Sequence, residues 1–171
     1  MLGRTERLRS RSARTGQKEI VRIRYAASRY GVQENQFHHY FEIAERKQGI
    51  TGDNLLRILE SRLDNVVYRV GFASSRAEAR QLVGHGHYEV NGKRVDIASY
   101  LLKAGDVVSI CEKSRASEKI KAVVEANSAR PVPEWIDVDR NNLSAKVIAL
   151  PTREQIEAPV DEQLIVEFYS K

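Results

Sequence analysis

Cysteine is nearly absent from this chain: Cys111 is the only one in 171 residues. One thiol cannot close an internal disulfide or furnish a cysteine-rich zinc cluster, and it suits a reducing compartment, so the expected location is the cytoplasm. Long hydrophobic runs are missing as well. Nothing approaches the roughly 20 apolar residues of a membrane span, and the opening MLGRTERLRSRSART lacks the apolar stretch of a secretory signal. Its Arg and Ser content is shared with organelle transit peptides, so an organelle version stands beside the cytoplasmic one. Catalytic signatures are equally scarce. The chain has no G-x-S-x-G elbow, no phosphate-binding P-loop, no G-x-G-x-x-G after a strand and no H-E-x-x-H. His85 and His87 stand at i, i+2 and could touch a metal from one strand face, but the pair lacks the cysteine or acidic partner of a metal site. His38 and His39 point about 100° apart on a helix, and Asp64 reads as a structural carboxylate. No enzyme, cofactor or metal is expected.

What the sequence has in quantity is positive charge, unevenly spread. Lys and Arg total 28 against 23 Asp and Glu, for a net charge of +5 and a pI near 9.4. Residues 1–49 hold 11 basic and 5 acidic side chains, 50–130 hold 13 and 10, and 131–171 hold 4 and 8, so the balance runs +6, +3 and −4. A basic front and an acidic end favour a polyanionic partner, nucleic acid above all. Arg4, Arg7, Arg9, Arg11 and Arg14 have almost no apolar company and form a solvated basic arm. Residues 17–30 read as a helix with a broad basic face that includes Arg22, Arg24 and Arg29, ended by Gly31.

Farther on, Asn35 is the expected cap of an amphipathic helix with Phe37, Tyr40, Phe41 and Ala44 inward, closed by Gly49. Residues 51–53 start the next helix. Its apolar residues Leu55, Leu59, Leu63, Val66 and Val70 predict one buried stripe running unbroken to Gly71. Ser75 and Glu78 have the spacing of a capping box in front of a short helix through Leu82 and Val83. The period then changes. Residues 87–90 and 93–95 alternate like strands around Asn91-Gly92, the pair best suited to a two-residue hairpin turn. A strand over 107–111 and a helix over 117–126 follow, with Ile120, Val123 and Val124 inward. Residues 130–133 read as a linker, and 135–138, 146–150 and 164–168 as further short strands.

Arg62 and Arg69 lie seven residues apart on one side of the expected long helix, Arg76 and Arg80 at i, i+4 on the next, and Lys93-Arg94 directly after the hairpin turn. A helix–turn–helix and a hairpin tip could together present guanidinium forks to a phosphate backbone. Arg76 and Arg80 are expected to be exposed at the start of their helix, where cations oppose the macrodipole and gain nothing structurally. A DNA-reading helix is the competing view. The strands that follow suit shape recognition of folded RNA better.

These residues also carry a family likeness. GDNLLRILESRLDNVVYRVGF (52–72), SRAEARQLV (75–83), VNGKRV (90–95), DIASY (96–100), GDVVSI (105–110) and EQLIVEFYSK (162–171) closely resemble the bacterial-type small-subunit ribosomal protein S-four family. The resemblance implies a structural, primary binder of small-subunit ribosomal RNA that nucleates folding of its 5′ region. It further implies ribosomal protein five as a neighbour, a part in decoding accuracy and in the messenger RNA entry channel, and RNA-facing roles for Arg62, Arg69, Ser75, Arg76, Arg80, Gln81, Lys93 and Arg94 over a core of Leu63, Val66, Val67, Leu82 and Val90. Members usually begin with some thirty to forty further residues, often with a zinc-binding cysteine cluster. This chain starts inside that region without those cysteines, so the expectation is a short form without zinc. The predicted fold class is α+β: a basic arm and helical domain over 1–55, completed by returning strands in 135–171, with a small RNA-binding module over 56–134. The rivals are a stand-alone RNA-binding regulator using the same module and an RNA-modifying enzyme, for which the residues after the linker are too few.

Overall fold

The computed structural model describes residues 28–156. The arm residues Arg4, Arg7 and Arg9, the positions Arg22 and Arg24, and the strand expected over 164–168 lie outside the described residues. Two compact units divide the chain between residues 55 and 56.

In the first unit a helical turn over 28–30 ends at Gly31, followed by helix α1 (Glu34–Arg46). Phe37, Tyr40, Phe41 and Ala44 recur every three to four residues and form its buried face, as expected. The expected cap does not: the helix starts one residue before Asn35, with Gln33 in the extended capping position and no side-chain cap. Its other end is satisfied from a distance, since buried Asn54 donates to the carbonyls of Ala44 and Gln48, both at 3.2 Å. The Ala44 carbonyl also accepts from the Lys47 amide at 3.3 Å, so the last turn is closed by a tight backbone bond and a distant side chain together.

The long helix predicted through Gly71 is in fact two, α2 (Thr51–Glu60) and α3 (Leu63–Arg69). All five residues of the predicted stripe are buried, so periodicity marked burial correctly and continuity wrongly. At Arg62 the backbone turns extended, φ −63° and ψ 141°. The segment 98–102 makes this possible: Tyr100 and Ala98 carbonyls accept from the Leu63 and Asp64 amides at 2.8 and 3.3 Å, and the Leu102 amide donates to Ser61 at 2.8 Å. The orphan donors of α3's first turn are thereby paired by distant backbone.

Helix α4 (Arg76–Gly84) packs on α3, Ser75 accepting from the Glu78 amide at 3.1 Å. Glu78 returns the bond to Ser74 at 3.2 Å rather than to Ser75, a capping box displaced by one residue. Strands β1 (Tyr88–Val90) and β2 (Lys93–Arg94) form the predicted hairpin. Asn91 and Gly92 both take positive φ, 54° and 81°, the requirement that made the Asn-Gly pair legible. Strand β3 (Val107–Ile110) leads into the short α5 (Glu112–Arg115) and then α6 (Glu118–Ala126), in which Ile120 is buried while Val123 and Val124 are half-buried.

Strands β4 (Ile136–Asp139) and β5 (Ser144–Val147) correct the expected boundary at residue 134. They join the module's own antiparallel sheet, in the order β2-β1-β3-β5-β4, β5 pairing with β3 through Val108 and Ala145. Trp135, Ile136, Ala145 and Val147 belong to the same core as Val66, Leu82, Tyr88 and Val108. A four-residue strand buries too little to stand apart, and β3 would otherwise be an open edge. Nor is 130–133 a free linker. Arg130 donates to the carbonyls of Tyr68 (2.7 Å), Ala73 (2.9 Å) and Ser74 (3.2 Å) and to the Asn127 side chain (2.8 Å). The fold class is α+β, with the strands before and after that segment in one sheet.

Candidate nucleic-acid interface

The predicted cations separate into two groups once the backbone is folded. Arg62 is buried, and its Nε and Nη2 meet the two oxygens of buried Asp64 at 3.1 Å each, a bidentate pair. The same carboxylate accepts from the Asn65 amide at 2.7 Å. Arg69 forks onto Glu60, at 2.8 and 3.3 Å, and the Asn65 side chain donates to that carboxylate at 2.7 Å. Glu60 and Asp64 are almost wholly buried, and unpaired charges there would be costly. The two arginines therefore answer acids of the fold, a role that helical spacing alone does not reveal.

Arg76 also departs from expectation. It is half-buried; its Nε donates to Asn65 at 2.9 Å, and its guanidinium lies over the Tyr68 ring at 4.6 Å. Arg130 lies over the same ring at 4.5 Å. Such contacts contribute roughly 0.5 to 2 kcal/mol each, so the expectation that Arg76 gains nothing structurally is overturned. The signal missed was Tyr68 and Arg130, neither singled out by motif or periodicity. Ser75 serves as the helix cap, and Arg29 is half-buried in the first unit.

The second group is exposed: Arg80 and Gln81 on α4, Lys93 and Arg94 on the hairpin. Arg94 joins the two elements. Its Nη2 donates to the His85 carbonyl at 3.4 Å, and its guanidinium lies directly against Gly86, whose φ is +77°. A helix end and a hairpin thus meet through Arg94, and the two elements carry three exposed cations and an amide, apt for phosphate contacts and for hydrogen bonds to bases.

Folding also gathers residues that sequence reasoning left apart. His85 and His87 lie with ring centroids 6.2 Å apart, and His87 Nδ1 is 2.7 Å from the Ser114 hydroxyl. Burial, then the nearby His85, Arg94 and Lys119, hold His87 below the usual histidine range. Cys111 comes to the same place, its thiol pushed up by burial and by Glu89. No group of three His, Cys, Asp or Glu side chains fit to hold a metal ion exists among the described residues. Nor is any helix among them long and apolar enough to cross a membrane.

Two helices against a short hairpin sheet, with exposed cations at helix end and hairpin, define the class of small RNA-binding modules, and residues 61–108 match the S4 domain family. Residues 3–60 match the ribosomal protein S4/S9 N-terminal domain. The chain belongs to the family of small ribosomal subunit protein uS4. It is 61% identical over 142 residues to the protein of that name from Acetivibrio thermocellus, covering 83% of this chain and 68% of the relative. The uS4A protein of Alkaliphilus oremlandii is 61% identical and the uS4 protein of Ruminiclostridium cellulolyticum 57%, both with the same coverage.

Proposed function

We propose that this chain is a structural, non-catalytic component of the small ribosomal subunit and binds ribosomal RNA directly. The observation that carries this reading is the exposed set Arg80, Gln81, Lys93 and Arg94, on a helix and a hairpin that the Arg94 contacts to the α4–β1 turn hold together. Arg62, Arg69 and Arg76 act behind that surface by fixing α3 and α4, and the arm arginines Arg4, Arg7 and Arg9 with Arg22, Arg24 and Arg29 add phosphate contacts. The RNA site is the 5′ region of the small-subunit RNA, where early binding nucleates assembly of the subunit body and bears on decoding accuracy. Acidic Glu134, Asp137 and Asp139 are exposed around the edge strand β4, at the end of the sheet order away from the basic β2. That polarity supports a basic protein neighbour there, ribosomal protein five being the expected one, with messenger RNA at the entry channel as a further contact. The cytoplasmic ribosome is the corresponding location.

Sedimentation of the tagged full chain from lysate at moderate salt tests the reading. Co-migration with small subunits is expected, while a protein that stays at the top of the gradient and still binds RNA would be a stand-alone regulator. Replacing Arg80, Lys93 and Arg94 by Ala should weaken binding by roughly 1 to 3 kcal/mol per lost charge-assisted contact. Unchanged RNA affinity in that triple variant would remove the surface from the reading.

A further inference from the structure

Beside the hairpin, the α4–β1 turn, the end of β3 and α5 enclose a cleft of about 460 Å³ to which none of the roles above assigns an occupant. Arg94 lies on it, against Gly86, and exposed Lys113 lines it as well. The Ser114 hydroxyl, on a buried residue, holds Nδ1 of His87, so Nε2 is the ring nitrogen left to meet a ligand. His85 stands edge to face with that ring and is exposed. These side chains come from three separate segments of the chain.

The charges that face the imidazoles are nearly balanced. Arg94 from β2 and Lys113 from α5 are offset by Glu89 from β1 and Glu112 from α5, and Lys119 of α6, outside the lining, also acts on His87. The Cys111 thiol stays protonated beside Glu89 and adds no charge. With both imidazoles neutral the lining carries two cations against two anions. A proton taken up by an imidazole then gives the cleft a net positive charge, which suits an anion.

We propose that this cleft is a second RNA-backbone contact, in which Arg94, Lys113 and a protonated imidazole of His85 or His87 hold one phosphate, so that RNA affinity rises as the pH falls. The inference rests on the RNA-binding reading above and extends that surface from the hairpin across the α4–β1 turn to α5. In the free protein burial, the adjacent His85 and the cations Arg94 and Lys119 disfavour the His87 imidazolium; a phosphate supplies the negative charge that reverses this. The sign follows. A group whose pKa is raised by binding contributes affinity that is full below its free-state pKa and is lost as the pH rises through its bound-state pKa. Because the free His87 titrates below the usual 6.5, the gain belongs to mildly acidic solution.

The test measures affinity of the full chain for a 5′-region fragment of small-subunit ribosomal RNA at about pH 8 and about pH 5.5, at several salt concentrations. Wild type should bind on the order of three- to tenfold tighter at the lower pH. His85→Gln with His87→Gln should bind equally well at both, and Lys113→Ala should lower the log–log salt slope by about one. A pH effect that survives in the double Gln variant, or an unchanged slope for Lys113→Ala, overturns the proposal. Lys113 is exposed, so its variant remains informative should the double Gln variant melt early. If inorganic phosphate shifts the imidazole NMR signals as strongly as the RNA fragment does, the cleft is a free-anion site and the RNA contact is overturned. Arg80→Ala separates the two readings. Weakened binding there with an unaltered pH effect in the His variants rejects the cleft alone, whereas no binding by wild type at any pH rejects the RNA-binding reading and the cleft with it.

Discussion

Arg76 and Arg80 sit at i, i+4 on α4, yet their surroundings ask different things of them. Arg76 is tied to Asn65 and lies over Tyr68, while Arg80 is exposed. Arg76→Ala should therefore lower stability by about 1 to 3 kcal/mol, the loss of one hydrogen bond and one ring contact. Arg80→Ala should lower the melting temperature by less than Arg76→Ala does, its side chain being exposed, and should weaken RNA affinity. Equal melting temperatures for the two variants would contradict the division. A larger effect belongs to Asp64. Its replacement by Ala leaves the Arg62 guanidinium buried without its bidentate partner, and removal of one member of a buried pair costs about 3 to 5 kcal/mol, to be read by denaturant unfolding. A loss below about 1 kcal/mol, the range of exposed pairs, would mean water reaches this pair.

At the scale of elements, the hairpin and the α4–β1 turn act together through Arg94. Gly86 has φ +77°, and a Cβ there would collide with the Arg94 guanidinium. Gly86→Ala should cost about 1 to 2 kcal/mol for the left-handed backbone and, by pushing Arg94 aside, should weaken RNA binding about as much as Arg94→Ala does. Combining Gly86→Ala with Arg94→Ala checks the mechanism, because the double variant should then bind no worse than either single one. The elements themselves were unequally legible. Asn91-Gly92 announced its hairpin because the turn needs two adjacent positive φ angles, a property of those residues alone. The break between α2 and α3 was hidden, because the apolar spacing runs on through Leu59, Leu63 and Val66. What stops the helix is backbone from 98–102, bonded to Ser61, Leu63 and Asp64 across a long loop closure that local propensity does not report.

For the whole molecule, pH dependence of stability follows from His87. Its pKa is lowered in the folded state, so the unfolded chain takes up the proton first; stability is full above about pH 6.5, the unfolded value, and declines as the pH falls toward the folded value. The melting temperature should drop between about pH 7 and about pH 5, and less so in His87→Gln; identical profiles would assign the loss to other groups. The basic arm offers a complementary test. Deleting residues 2–15 should leave the melting temperature nearly unchanged, since its five arginines lack apolar company, while flattening the salt dependence of RNA binding. A retained slope would take the arm off the RNA. By itself the sequence determined the apolar stripe Leu55, Leu59, Leu63, Val66 and Val70, where the hairpin turns and that the chain is basic, because periodicity, turn chemistry and charge are local or additive properties. Tertiary structure alone decided that β4 and β5 complete the module's sheet, that Arg62 and Arg69 answer buried acids, and that two histidines, a serine and two cations from three segments share one cleft. Strand pairing, ion pairing and cleft formation depend on residues far apart in the chain, whose meeting is set by the packing of the core.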